Sequence, residues 1–201
     1  MKRFIVASAS PRRKEILETA GYEFEVIPSD ADESCDAGLT PEELVIELAG
    51  RKARSVSEKN KGAVVFGCDT VVEYDGIVLG KPESRDEARK MLAALSGRKH
   101  NVHTGVCITD GEKTDSFVST VRVEFYELSD WIIDGYVSTG ECDDKAGAYG
   151  IQGIGSILVR GIEGDYFSVV GLPIAETMRR LTGFGIAPGT LRAYIKELSD
   201  K

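Results

Sequence analysis

One stretch narrows the folds open to this chain more than any other: Ala63-Val64-Val65-Phe66-Gly67-Cys68, running on through Asp69-Thr70 into Val71-Val72. An apolar run without alternation is the pattern of a strand buried on both faces, inside a sheet that is covered on either side. Tyr74-Asp75-Gly76 then turns the chain into Ile77-Val78-Leu79, so this strand also gains an antiparallel neighbour. Around it, strand and helix signals alternate. Thr40-Pro41-Glu42-Glu43 is a capping box with proline at the first helical position, opening a helix that runs to about Glu58. Ser84 to Glu87 is a second box, with Ala88, Met91, Leu92 and Leu95 on one face and Gly97 at the end. Further strands are expected over 22–27, 101–109, 116–124, 157–161 and 166–170, and further helices after Ser129, from Pro173 and over 190–198. Hairpins together with helical crossovers predict a mixed sheet of α/β or α+β type. No repeat or linker interrupts the pattern, so residues 1–201 read as a single domain.

Composition removes several functions. A net charge of −8 over 201 residues disfavours nucleic acid or an anionic membrane as the main partner, since both reward a basic surface. The four cysteines, Cys35, Cys68, Cys107 and Cys142, never form a C-x-x-C pair, which argues against a zinc site or disulfide framework and for a reducing cytosol. No run approaches the length of a membrane span, and Lys2-Arg3 is followed by no long apolar segment, so neither insertion nor export is expected.

Against this acidic background a few residues break local rules. In Ser8-Ala9-Ser10-Pro11-Arg12-Arg13, Ser10 reads as an N-cap and Pro11 as the first helical residue, with Ile16, Leu17 and Ala20 forming the apolar face. Two arginines then fall in a first turn whose partial charge is already positive. Either they are a solvated pair or they flank a bound anion, for which serine hydroxyls, free amides and guanidinium forks are suited. Lys52 lies on or beside the apolar stripe made by Leu44, Leu48 and Val56, where it either snorkels to the edge or has a specific partner. On that reading a methionine at 52 would relieve the charge. Asp69 interrupts the doubly buried strand, so its carboxylate is either paired structurally or faces a ligand at a cleft floor. Lys81-Pro82 follows the hairpin, and Asp144 to Gly153 is a glycine-rich loop carrying Lys145 and Gln152. His100 and His103, three apart on a strand, point to opposite faces and make a poor metal pair. Arg12, Arg13, Lys52, Lys81 and Lys145 set against Glu33 and Asp69 match a triphosphate with its divalent cation.

These segments resemble the Maf family of nucleoside triphosphate pyrophosphatases. The matching pieces are Ser8 to Arg13, Asp32-Glu33, Lys52-Ala53, Asp69 to Val72, Gly80-Lys81-Pro82, Ser96 to Val106, Asp144 to Gly153 and Gly164 to Pro173, all in the family's order. Cys142 and Ser168 stand where the family pattern has proline and asparagine. The resemblance implies an inosine-triphosphatase-like fold, with two lobes around a long mixed sheet and a central cleft. It also implies a cytoplasmic homodimer that hydrolyses a nucleoside triphosphate to monophosphate and pyrophosphate. Glu33 and Asp69 would hold Mg²⁺, or Mn²⁺ or Co²⁺ in its place, with Asp69 also activating water and Lys52 and Lys81 assisting. Ser8, Ser10, Arg12, Arg13, Thr70, Lys145 and Gln152 would bind substrate. Arg12, Thr70 and Gln152 resemble the branch preferring dTTP and UTP. The Gln152 amide matches one donor and one acceptor of those bases, and these three positions offer neither the acid nor the stacking surface suited to 7-methyl-GTP. The alternatives are 7-methyl-GTP hydrolysis and a nucleotide-binding regulator of cell division without turnover.

Overall fold

The computed structural model describes residues 2–34 and 38–191. The long strand forms as its composition predicts: β3 (Val64–Tyr74) has residues 64–68 buried and lies inside a seven-stranded mixed sheet. On one edge β3 pairs in parallel with β1 (Phe4–Val6), which pairs in parallel with β2 (Glu25–Val26). On the other edge lie β5 (Lys99–Thr109), β6 (Thr114–Phe125) and β7 (Val159–Glu163), all antiparallel to their neighbours. The hairpin turn at Asp75-Gly76 has positive φ at both residues, 54° and 76°, as a two-residue turn of primed type needs, and returns the chain as β4 (Ile77–Leu79).

One face of the sheet is covered by α2 (Pro41–Lys59), whose capping box at Thr40 and Glu43 forms with both reciprocal hydrogen bonds. Val45, Leu48, Ala49, Ala53 and Val56 are its buried apolar side chains. The helix lies close because β3 and β5 present glycines beneath it. A Cβ on Gly67 would stand 2.3 Å from the Ala49 carbonyl oxygen, and one on Gly105 would stand 2.4 Å from that of Val45.

The opposite face carries two separate apolar cores. One gathers Phe4, Val6, Phe66 and Ile108 with Leu17 of α1 (Pro11–Thr19) and Leu181 of α6 (Ile174–Thr182). The other gathers Val72, Val102, Val121 and Val123 with α3 (Arg85–Leu95) and α4 (Asp130–Ser138). Between them the sheet turns polar: Thr70, Thr104 and Ser119 stand directly opposite one another on β3, β5 and β6. These two cores are the lobes that the resemblance implied, and the polar row is their boundary.

Several boundaries differ from the sequence reading. Only Glu25–Val26 of the strand expected over 22–27 is extended, because Tyr22 turns inward to pack on Phe4 with ring centroids 5.9 Å apart. Residues 166–170 are not a strand but a short helix, α5 (Tyr166–Val170). Its aromatic and β-branched residues suit a strand. The local ends prevail instead, with Asp165 accepting the Phe167 amide at 3.0 Å and Gly171 at φ 118° stopping the turn. The strand expected over 157–161 begins later, because a 3-10 segment, Gly153–Leu158, precedes β7. Ser84 accepts the Glu87 amide, but the Glu87 carboxylate turns to the amide of Glu83, so that box is only half formed. The helix expected over 190–198 falls largely outside the described residues, as does Cys35. No helix among the described residues is long and apolar enough to cross a membrane.

Candidate active site

A cleft follows from where β3 loses its edge partner. β1 pairs with it only as far as Val6 opposite Phe66, and β4 begins pairing at Leu79 opposite Val72. Residues 67–71 therefore have a strand on one side only. Asp69 and Thr70 lie in the middle of this gap.

The β1–α1 turn forms one wall. Ser10 stands at the N-cap position of α1, but its side chain makes no capping bond, and no acidic residue occupies the first turn. The amides of Arg12 and Arg13 find no acceptor among the described residues, so this end keeps its positive potential. Ser8 is buried, and its Oγ accepts from the Ser10 amide at 3.3 Å and from Arg13 at 3.1 Å. Arg13 serves the protein frame on three sides: besides Ser8 it donates to the Gly171 carbonyl at 2.9 Å and to Thr70 Oγ1 at 3.0 Å. Thr70 Oγ1 also lies 2.9 Å from Thr104 Oγ1, which donates to the Ser168 carbonyl. Ser168 Oγ continues the chain to Ser119 at 2.7 Å and to Asp165 at 2.9 Å. Arg13 and Thr70 are thus parts of a hydrogen-bonded chain that runs along the boundary between the lobes.

The facing wall is the loop expected from the glycine-rich segment. Its position is set by Gly147, whose amide donates to the Gly80 carbonyl at 3.0 Å and whose missing Cβ leaves room for Val72. Lys145 donates to Asp144 at 2.7 Å and to the Glu141 carbonyl. Across the cleft, Arg12 reaches the same Asp144 at 3.1 Å. Partial burial raises the Asp144 pKa, but the Lys145 hydrogen bond and the Arg12 charge outweigh it and hold the carboxyl below its ordinary range. One anion thus already bridges two cations from opposite walls. Lys81 follows Gly80, is exposed, and forms no hydrogen bond or ion pair among the described residues.

At the back, Lys52 does not snorkel. Its ammonium lies 2.6 Å from Asp69 and 3.0 Å from Glu33, with the Lys52 and Asp69 side chains only 12% and 14% exposed. Burial alone would lower its pKa; attraction to Asp69 and hydrogen bonds to both carboxylates carry it above the ordinary lysine value. Glu33 is held on a loop that Arg51 pins through the Asp32 and Ser34 carbonyls.

A groove of about 350 Å³ leads away from Arg12 between α1 and α5–α6, lined by Glu15, Ile16, Ala20, Phe167 and Ile174, with Gln152 at its side. Gln152 is exposed and free of side-chain hydrogen bonds among the described residues. The three positions singled out for base preference are therefore not alone. The groove adds an acid, Glu15, and an aromatic ring, Phe167, beside the three positions, which themselves offer neither. A separate hollow of about 220 Å³ at the far end of β3, lined by Glu73, His100 and Asn101, gathers none of the predicted site residues.

Ser8, Ser10, Arg12, Glu33, Lys52, Asp69 and Lys145 thus come to the edges of one gap, framed by Arg13 and Thr70, with Gln152 beside the adjoining groove, while Lys81 stands exposed next to Gly80, whose carbonyl meets the facing loop at Gly147. Sequence reasoning passed over Glu141, Asp144, Glu15 and Phe167. Asp144 and Phe167 lay in segments already singled out, without a role of their own; Glu141 and Glu15 acquire meaning only from groups distant in sequence. His100 and His103 are buried, as core histidines, with partners Tyr149 at 2.8 Å and Thr120 at 2.9 Å.

Residues 3–184 match the family described as Maf-like protein. A protein of Bacillus cereus named dTTP/UTP pyrophosphatase is 50% identical over 186 residues, covering 92% of this chain and 97% of its own. One of Bacillus cytotoxicus with the same name is 50% identical over 184 residues, covering 92% and 96%. Among solved structures, that of the Staphylococcus aureus Ham1 protein is 20% identical with a TM-score of 0.46, covering 79% of this chain and 80% of that one. With the family model and the two Bacillus relatives spanning nearly its whole length, in agreement with the ordered motifs, the chain belongs to the Maf family.

Proposed function

We propose that this protein hydrolyses nucleoside triphosphates, dTTP and UTP foremost, to the monophosphate and pyrophosphate. The observation that carries the reading is the gap in β3. There a carboxylate held by a buried lysine adjoins Thr70, which Arg13 from the first turn of an uncapped helix reaches at 3.0 Å, and Arg12 and Lys145 are already bridged by an anion. In this reading Asp144 occupies the cations that a phosphate chain takes over. Names of relatives sharing 50% of their residues supply the base preference.

Asp69 takes a proton from water as its oxygen attacks the α-phosphorus. The bond from that phosphorus to the bridging oxygen breaks, and its electron pair leaves with pyrophosphate. Lys52 keeps Asp69 oriented, while Arg12, Lys81, Lys145 and the free amides of α1 meet the charge moving onto the leaving group. Arg13 and Thr70 hold the wall that presents Ser8 and Ser10. Gln152 reads the pyrimidine edge, with the base against the groove's apolar side chains.

Glu33 and Asp69 fit a magnesium-class ion. Both are hard oxygen donors already converging on one cation, at 3.0 and 2.6 Å from the Lys52 ammonium. No group of three acidic, histidine or cysteine side chains suited to a metal gathers among the described residues, so the substrate and water would complete the shell. Mg²⁺ held there, or Mn²⁺ or Co²⁺, supplies positive charge to the phosphate oxygens. A homodimer in the cytoplasm completes the proposal; the buried, unpaired Cys68, Cys107 and Cys142 are compatible with a reducing compartment.

The test is to incubate the protein with dTTP, UTP, CTP and 7-methyl-GTP plus Mg²⁺ and to identify the products. Thymidine and uridine monophosphates with pyrophosphate are expected, at the highest kcat/KM. A preference for 7-methyl-GTP, for which Glu15 and Phe167 would be the responsible groups, would reverse the base assignment. Tight binding without turnover would favour a regulator.

A further inference from the structure

We infer that Glu141 is a positioning residue for base selection: its carboxylate fixes the segment that presents Gln152, separately from the phosphate end of the same loop. The inference rests on the reading of Gln152 given above. Glu141 Oε1 accepts the Gly155 amide at 2.9 Å and Oε2 the Ile154 amide at 2.9 Å. Tyr136 donates its hydroxyl to Glu141 Oε1 at 3.2 Å and accepts the Gly150 amide at 3.1 Å. Gln152 therefore lies between two anchored points, residue 150 on one side and residues 154–155 on the other.

The backbone between these anchors is shaped to meet the carboxylate. Gly153 has φ 62°, and a Cβ there would stand 2.6 Å from Glu141 Oε2. A Cβ on Gly155 would stand 2.2 Å from the Gly150 carbonyl and 2.9 Å from the Tyr136 hydroxyl. These glycines are places where the chain closes on Glu141. Partial burial pushes this carboxyl's pKa up, but the two amides, Tyr136 and Lys145 bring it below the ordinary value.

The phosphate end is held by a different atom of the same residue. Lys145 donates to the Glu141 main-chain carbonyl, which a side-chain substitution leaves in place. Removing the carboxylate therefore loosens Gln152 while Lys145 keeps its anchor. A carboxylate that only stabilised the loop would not divide its effects in this way.

The experiment compares wild type, Glu141→Gln, Glu141→Ala, Gln152→Ala and the double variant Glu141→Gln/Gln152→Ala. Two quantities are read: the ratio of kcat/KM for UTP to that for CTP, and competitive inhibition by inorganic tripolyphosphate. Glu141→Gln keeps the volume and one acceptor and serves as the variant that folds if Glu141→Ala does not. The UTP/CTP ratio is expected to fall about tenfold in Glu141→Ala and less in Glu141→Gln, mainly through KM for UTP. Tripolyphosphate inhibition should stay within about twofold. The double variant should discriminate no worse than Gln152→Ala alone, because both changes act through one side chain. An unchanged ratio in the Glu141 variants, or equal losses in the ratio and in tripolyphosphate binding, would overturn the inference. If wild type does not discriminate, or Gln152→Ala discriminates as well as wild type, the reading of Gln152 fails and the inference falls with it.

Discussion

Lys52 and Asp69 are each the other's main compensation for burial, and this decides how substitutions there behave. Asp69→Asn removes the proposed base but keeps the shape, so kcat should fall by about three orders of magnitude with the fold intact, checked by steady-state kinetics and circular dichroism. Lys52→Met is a different case. The sequence, showing an ammonium near an apolar face, argues that methionine relieves it. The 2.6 Å contact reverses the sign, since a carboxylate only 14% exposed would lose its cation. We expect Lys52→Met to destabilise the protein by about 2 kcal/mol in urea titrations, and Lys52→Met/Asp69→Asn to recover most of it. A single variant as stable as wild type would return Lys52 to the snorkelling class. At this scale the sequence exposed the residues that break a local rule, such as a charge in a buried strand or arginines at a helix start. It did not expose Glu141 or Asp144, whose environments are ordinary until Ile154, Gly155 and Arg12 arrive from elsewhere in the chain.

Between elements, the closeness of α2 to the sheet is what brings Lys52 to Asp69. Gly67 and Gly105 permit it, the Cβ of an alanine at 67 standing 2.3 Å from Ala49 O and 2.8 Å from Ala53 N. Gly67→Ala should therefore cost about 3 kcal/mol or more, since the contacted atoms are helix backbone and α2 must lift, and activity should drop as Lys52 moves with it. Gly135→Ala is the control: it is helical and exposed with nothing within 4 Å, and should be neutral or stabilise slightly. Thermal denaturation of both variants checks the contrast. Periodicity and caps made α2, α3, β3, β5 and β6 legible. The helix at Tyr166–Val170 was not, because its side chains suit a strand while its two ends, Asp165 and Gly171, make a turn. Which strands are adjacent, and hence the gap at 67–71, depends on long-range pairing that no local pattern encodes.

For the whole molecule, one buried group links stability to pH. Burial against Phe125 and Tyr149 lowers the His100 pKa from 6.5 to about 4. A histidine that resists protonation when folded gives stability that is complete above about pH 6.5 and is lost as pH falls toward 4, where the unfolded chain binds the proton more readily. The loss is on the order of 3 kcal/mol over that window. His100→Gln should flatten this part of the curve in urea titrations at each pH; an equal slope in wild type and variant would assign the dependence to other groups. The architecture as a whole, a mixed sheet with α2 on one face and two cores divided by a polar row on the other, gives the cleft its place between the lobes. In the proposed reaction, water activated at Asp69 attacks the α-phosphorus of the substrate. Hydrolysis of dTTP in ¹⁸O-labelled water with Mg²⁺, followed by mass spectrometry, tests this directly. Label is expected in thymidine monophosphate with unlabelled pyrophosphate, and Asp69→Asn should be silent, whereas labelled orthophosphate with thymidine diphosphate would rule out attack at the α-phosphorus.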